Sequence, residues 1–86
     1  MIINNKSPIP KYFQLQTWLQ DRIEQGYYST NDKIPTESEL VKLSSLSRAT
    51  VRQALRNLES DGFIVRKKRV GSFVRRLKKS SSNLQT

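Results

Sequence analysis

The sequence predicts a mainly α chain closed by a small β-hairpin, three helices followed by a two-stranded ribbon. Three observations carry that expectation. Apolar residues recur at helical spacing in two stretches, Tyr12, Leu15, Leu19 and Ile23, and later Val51, Ala54, Leu55 and Leu58. Two further helix starts carry capping chemistry, at Thr36 and at Ser47. Two short runs rich in β-branched and aromatic residues, Phe63-Ile64-Val65 and Gly71-Ser72-Phe73-Val74, flank a basic R-K-K-R-V segment.

Residues 1 to 8 hold Asn4, Asn5, Ser7 and Pro8 in no sustained pattern, and a loose arm is expected there. From Pro10 the pattern turns helical. Phe13 and Trp18 broaden the apolar face of this first helix, and Gly26 supplies a stop. Because these aromatics repeat at helical spacing, they suit core or partner packing better than a base-stacking platform. Tyr27 to Pro35 is a connector with turn chemistry at Asn31-Asp32, and Ile34 is expected to form a short strand near the hairpin. Thr36 and Glu39 have capping-box spacing, which starts the second helix at Thr36 and runs it to about Leu43. Glu37 and Glu39 complement the dipole of that helix start. As a catalytic pair they would lack assistance, since the chain has no His or Cys and no further acid cluster.

The segment from Leu40 to Leu58 then reads as a helix-turn-helix. It joins the end of the second helix, a polar turn at Ser44 and Ser45, and a third helix opening at Ser47. Ser47 can accept from the N–H of Thr50, a cap worth ~1 kcal/mol. One stripe of the third helix faces the core. Arg48, Arg52 and Arg56 follow four residues apart beside it and drift toward the opposite side, where Ala49 and Gln53 project. The bland alternative is an arginine-rich solvated face. Asp61-Gly62 ends the helix, with Gly62 as a left-handed cap.

The ribbon that follows ends in Lys67, Lys68 and Arg69, cations that can lie along phosphates or enter a narrow minor groove. A charged hairpin that only keeps the chain soluble is the alternative. Helix-turn-helix and basic ribbon together make a winged helix-turn-helix over residues 9–76, preceded by the arm at 1–8 and followed by a serine-rich, linker-like tail at 77–86.

Composition narrows the classes. With 86 residues and no cysteine, the chain is one small domain without disulfide staples, compatible with a reducing cytoplasm. It has no apolar run of about 18 residues and no secretory leader, so a soluble cytoplasmic protein off the membrane is expected. The charge is divided unevenly. Residues 1–40 carry four bases and five acids, whereas residues 41–86 carry twelve bases and two acids, net +10 in the half with the arginine helix. That asymmetry points to a polyanion, nucleic acid before a membrane surface. Two binding modes stay open, sequence-specific double-stranded DNA recognition and a non-specific basic module for RNA or any duplex. A protein-docking role fits the charge poorly. No residue set points to catalysis, a metal or a cofactor.

The runs P-T-E-S-E-L, S-R-A-T-V-R-Q-A-L-R-N-L-E-S-D-G-F-I-V-R and V-G-S-F-V resemble the DNA-binding domain of the GntR family of bacterial transcription regulators. P-K-Y-F-Q-L-Q-T-W-L-Q-D-R-I-E-Q-G is similar to that family's first helix, so the resemblance covers roughly residues 8 to 76. It implies that Arg48 and Arg52 read guanine and phosphate, that Ser47 and Thr50 contact the backbone, and that Lys68 and Arg69 form a wing tip for the minor groove. Arg56 and Lys67 would join the phosphate contacts. Ser38 stands where the family often has arginine, giving a shorter, uncharged contact. Arg69 stands where it usually has the first of two wing glycines, leaving Gly71 to take any positive φ. The resemblance further implies a repressor or activator acting as a homodimer on an inverted-repeat operator. Family members usually carry a C-terminal effector-binding domain that is apparently absent from this chain, and the wing ending is similar to the HutC-like branch.

Overall fold

The computed structural model describes residues 3–75 and contains three helices and one antiparallel hairpin: α1 (Lys11–Glu24), α2 (Glu37–Ser44), α3 (Arg48–Ser60), β1 (Ile64–Lys67) and β2 (Gly71–Val74). This is the winged helix-turn-helix that the sequence predicts. The linker-like tail lies outside the described residues. Among the described residues, no helix is long and apolar enough to cross a membrane.

α1 starts at Pro10 and ends in a Schellman turn, where Gly26 (φ 81°) donates to Ile23 O and Tyr27 donates to Arg22 O. The same turn closes α3: Gly62 (φ 85°) donates to Glu59 O and Phe63 to Leu58 O. α2 has the full capping box. Thr36 Oγ1 accepts from Glu39 N at 3.1 Å, and Glu39 Oε1 accepts from Thr36 N at 2.7 Å. The turn between α2 and α3 depends on Ser44 and Ser45. Ser45 is left-handed (φ 61°), and the buried Ser44 hydroxyl donates to Leu40 O and accepts from Leu46 N.

α3 is the central element, because α1, α2 and β1 all pack on it. Its stripe of Val51, Ala54, Leu55 and Leu58 is fully enclosed with Leu15, Leu19, Ile34, Leu40 and Ile64. Each buried Val, Leu or Ile side chain contributes about 1.5–3 kcal/mol of burial, enough to hold α3 in one orientation. On its other flank, Asn57 Nδ2 donates to Gln16 Oε1 of α1 at 2.9 Å.

The hairpin pairs Ile64 with Val74 and Lys67 with Gly71. The connector joins the free edge of β2: Asn31 donates to Val74 O, Val74 to Asp32 O, and Ile34 to Ser72 O. The expected strand at Ile34 is thus a single bridge, Lys33 to Phe73, rather than a run. It anchors the wing to the helical body.

Along its described part the arm contacts α1: Gln14 accepts from Asn4 N at 2.7 Å and donates to the carbonyls of Asn4 and Ile9. In the wing, Gly71 does not stand alone at positive φ. Arg69 adopts φ 66° in a turn closed by Val70 N–H to Lys67 O at 3.0 Å, while Gly71 lies at φ 135°. A reversal with positive φ at its third position, as in a type II turn, favours glycine there, and in this turn Arg69 takes that conformation.

Candidate nucleic-acid interface

The third helix presents Arg48, Ala49, Arg52 and Arg56 to solvent, as its periodicity requires once the opposite stripe is buried. The side chains of Arg48 and Arg52 are 54% and 50% exposed, so the two guanidinium groups sit on the surface, away from the core. Arg56 is exposed one turn further on. Ser47 caps the helix through Thr50 N at 3.1 Å, and the hydroxyls of Ser47 and Thr50 lie 2.8 Å apart. Both hydroxyls stand at the end of the helix where Arg48 begins.

Glu37 occupies the centre of this surface, and nothing in the sequence beyond its place in α2 marked it. Arg48 Nη1 donates to Oε1 at 3.0 Å; Arg52 donates through Nε to Oε2 and through Nη2 to Oε1, both at 3.0 Å. Arg66 of β1 adds a third ion pair at 3.6 Å. Hydrogen bonding by Arg52 and then by Arg48 outweighs partial burial and lowers the carboxyl from 4.5 to about 2, so Glu37 is ionised at neutral pH. Helix-dipole complementation therefore describes Glu37 incompletely. Arg66 escaped the sequence reading too, although a period-2 alternation places it on the face of Ile64 and Ser72, toward α2 and α3.

Ser38 lies beside Glu37, where its Oγ accepts long contacts from Arg48 Nη1 (3.4 Å) and Nη2 (3.5 Å). Gln53 departs from its expected outward projection. It is half-buried, and its Nε2 donates to Asn57 Oδ1 at 2.9 Å, because the i, i+4 amide pair turns it along the helix toward α1.

Lys67, Lys68 and Arg69 are exposed at the wing tip. Lys67 has its ammonium 5.2 Å from the Phe73 ring, on the face opposite Arg66. Gly71 opens β2 opposite Lys67, just after the wing turn, where the Lys33 stem passes so close that an added Cβ would meet Lys33 Cε at 2.7 Å. Between wing and helices lies an open cleft of about 600 Å³ bordered by Glu37, Leu55, Arg66, Lys68 and Arg69. The wing lines this cleft with Arg66, Lys67, Lys68 and Arg69, whereas α3 lines it with Leu55 and Glu59, and the α3 arginines do not border it.

Residues 11–74 match the family described as bacterial regulatory proteins, gntR family. The chain is 42% identical over 74 residues to the HTH-type transcriptional repressor NagR of Bacillus subtilis, covering 86% of this chain and 30% of that protein. It is 40% identical over 67 residues to the histidine utilization repressor of Pseudomonas aeruginosa, covering 78% and 27%, which agrees with the HutC-like resemblance. The chain therefore spans under a third of the length of these curated relatives. Among solved structures it superposes on the AraR DNA-binding domain in complex with operator ORR3 with a TM-score of 0.77, at 35% identity, over 84% of this chain and 87% of that one. Fold, motif spacing and these matches lead to one assignment: the chain belongs to the GntR family of bacterial regulatory proteins.

Proposed function

We propose that this chain is the operator-reading domain of a bacterial transcription regulator that binds double-stranded DNA sequence-specifically. α3 enters the major groove and the wing tip enters the adjacent minor groove. The observation that carries this reading is the outward pair Arg48 and Arg52, held on a buried helix beside a basic hairpin. Arg52 supplies a base contact as it stands, and Arg48 supplies one once its fork leaves Glu37 and Ser38; bidentate arginine to guanine is the commonest specific contact. Ser47, Thr50, Arg56 and Lys67 take phosphates and set the register. Lys68 and Arg69 occupy the minor groove, and Gly71, whose open side holds the Lys33 stem, joins the contact through its backbone. Ala49 meets an apolar base edge; Ser38 keeps its hydroxyl hydrogen, and Gln53 its Oε1, for DNA while they hold Arg48 and Asn57.

The AraR domain is a complex with an operator, and NagR is named a repressor, which favours repression here as well. The binding unit is a homodimer on an inverted repeat, in the bacterial cytoplasm, with effector sensing in the part of the relatives that this chain does not span. Selection from a random duplex pool tests the reading. Enrichment of an inverted repeat supports both specificity and two-fold pairing. Recovery of unrelated sequences, with a steep salt slope as the only signature, supports a non-specific basic module instead.

A further inference from the structure

One carboxylate serves three guanidinium groups, and it treats the two on α3 differently. Arg52 meets Glu37 side-on, through Nε and Nη2. The terminal fork of a guanidinium, made by Nη1 and the outer hydrogen of Nη2, lies on another edge. In Arg52, Nη1 makes no hydrogen bond among the described residues. That free edge is the one that meets guanine O6 and N7. Arg48 is engaged the other way round. Its Nη1 donates to Glu37, and Nη1 and Nη2 together straddle Ser38 Oγ, so its terminal fork is occupied.

We propose that Glu37 is a positioning and specificity-determining residue, which fixes Arg52 with its guanine-reading fork open while it and Ser38 hold back the fork of Arg48. The proposal rests on the reading of the chain as a sequence-specific DNA binder.

Two physical consequences favour selectivity. A fork already immobilised by two hydrogen bonds loses less rotamer freedom on meeting a guanine, which raises affinity for the matching base pair alone. A phosphate has no such advantage, because to recruit Arg48 or Arg66 it must displace an ionised carboxylate that already neutralises part of the cluster. Arg66 extends the effect to the wing. Through the same carboxylate Arg66, near the turn end of β1, is tied to the start of α2, so wing and reading helix are held in one relative placement.

The test compares the full chain with Glu37→Gln on a duplex enriched by selection and on a scrambled duplex, by fluorescence anisotropy across a salt series. Glu37→Gln is expected to bind scrambled DNA more tightly, with a salt slope steeper by about 0.9 for each phosphate gained. Its preference for the selected duplex should fall about tenfold, the discrimination of one bidentate contact. An unchanged preference overturns the role of Glu37 while leaving specific binding intact. Absence of preference in the unsubstituted chain overturns specific binding itself, and the proposal with it. Should Glu37→Gln fail to fold, nitrogen-15 spectra of the unsubstituted chain decide. Retention of a slowly exchanging Arg52 Nε–H on the selected duplex supports the proposal, and its loss on binding overturns it.

Discussion

Glu37 and Arg52, fifteen residues apart in the chain, join through two parallel hydrogen bonds of 3.0 Å while half of the Arg52 side chain stays open to solvent. A residue so held can touch DNA without leaving its intramolecular partner. Arg52→Ala is expected to weaken binding to the selected operator by ~1–3 kcal/mol and to relax selectivity at one base pair. Arg52→Lys should recover little, because a lysine ammonium lacks two separate forks. Equal losses on scrambled and selected duplexes would show that Arg52 contributes charge alone.

Glu37 also links stability to acid. Its folded-state pKa lies near 2, below the ordinary 4.5, because Arg52 and then Arg48 hydrogen-bond the ionised form against the opposing effect of burial. A depressed carboxylate contributes stability that is complete above about pH 4.5 and lost as pH falls toward 2. Both arginines are half exposed, so solvent screening limits the effect to the order of 1 kcal/mol. The urea midpoint should therefore drop through that window, and Glu37→Gln should flatten part of the drop. Glu39 acts in the same direction, since the Thr36 backbone N–H, and then its side chain, lower that carboxyl as well.

Helix boundaries were legible in the sequence because caps are local chemistry. Thr36 and Glu39, Ser47 and Thr50, and Gly26 and Gly62 all act within a few residues of the ends they fix. The buried stripe of α3 was legible for a related reason, since Val51, Ala54, Leu55 and Leu58 share a face by periodicity alone. The organisation of the candidate site was only partly so. The arginine row could be seen, but its counter-charge lies 11 and 15 residues away on α2, and Arg66 arrives from the wing. Such pairing depends on how elements pack, which no spacing rule encodes. The helical angle of Gln53 predicted the outer face, yet it is half-buried with its amide on Asn57, whose own partner Gln16 is 41 residues distant.

That polar chain gives a second stability test. Gln16 is only 7% exposed, and its Oε1 depends on Asn57 Nδ2 at 2.9 Å. Asn57→Ala strands this acceptor at the α1–α3 boundary, at an expected cost of about 1–3 kcal/mol in chemical denaturation. DNA affinity at saturating folded fraction should change little, because Asn57 faces α1 rather than the arginine row. A stable variant would mean that water replaces the lost donor.

The wing turn separates stability from binding most cleanly. Arg69 holds φ 66° at the tip of the hairpin, a conformation that costs a residue with a Cβ about 1–2 kcal/mol. Arg69→Gly removes that cost but gives the unfolded chain more freedom, worth about 0.4–1 kcal/mol in the other direction. The net expectation is a gain between zero and about 1.6 kcal/mol, read from the denaturation midpoint. Binding should move the opposite way. If the Arg69 guanidinium meets the minor groove, its loss weakens affinity at low salt and makes the salt slope shallower by about 0.9. A more stable variant with an unchanged salt slope would remove Arg69 from the DNA interface and leave Lys68 to carry the wing contact.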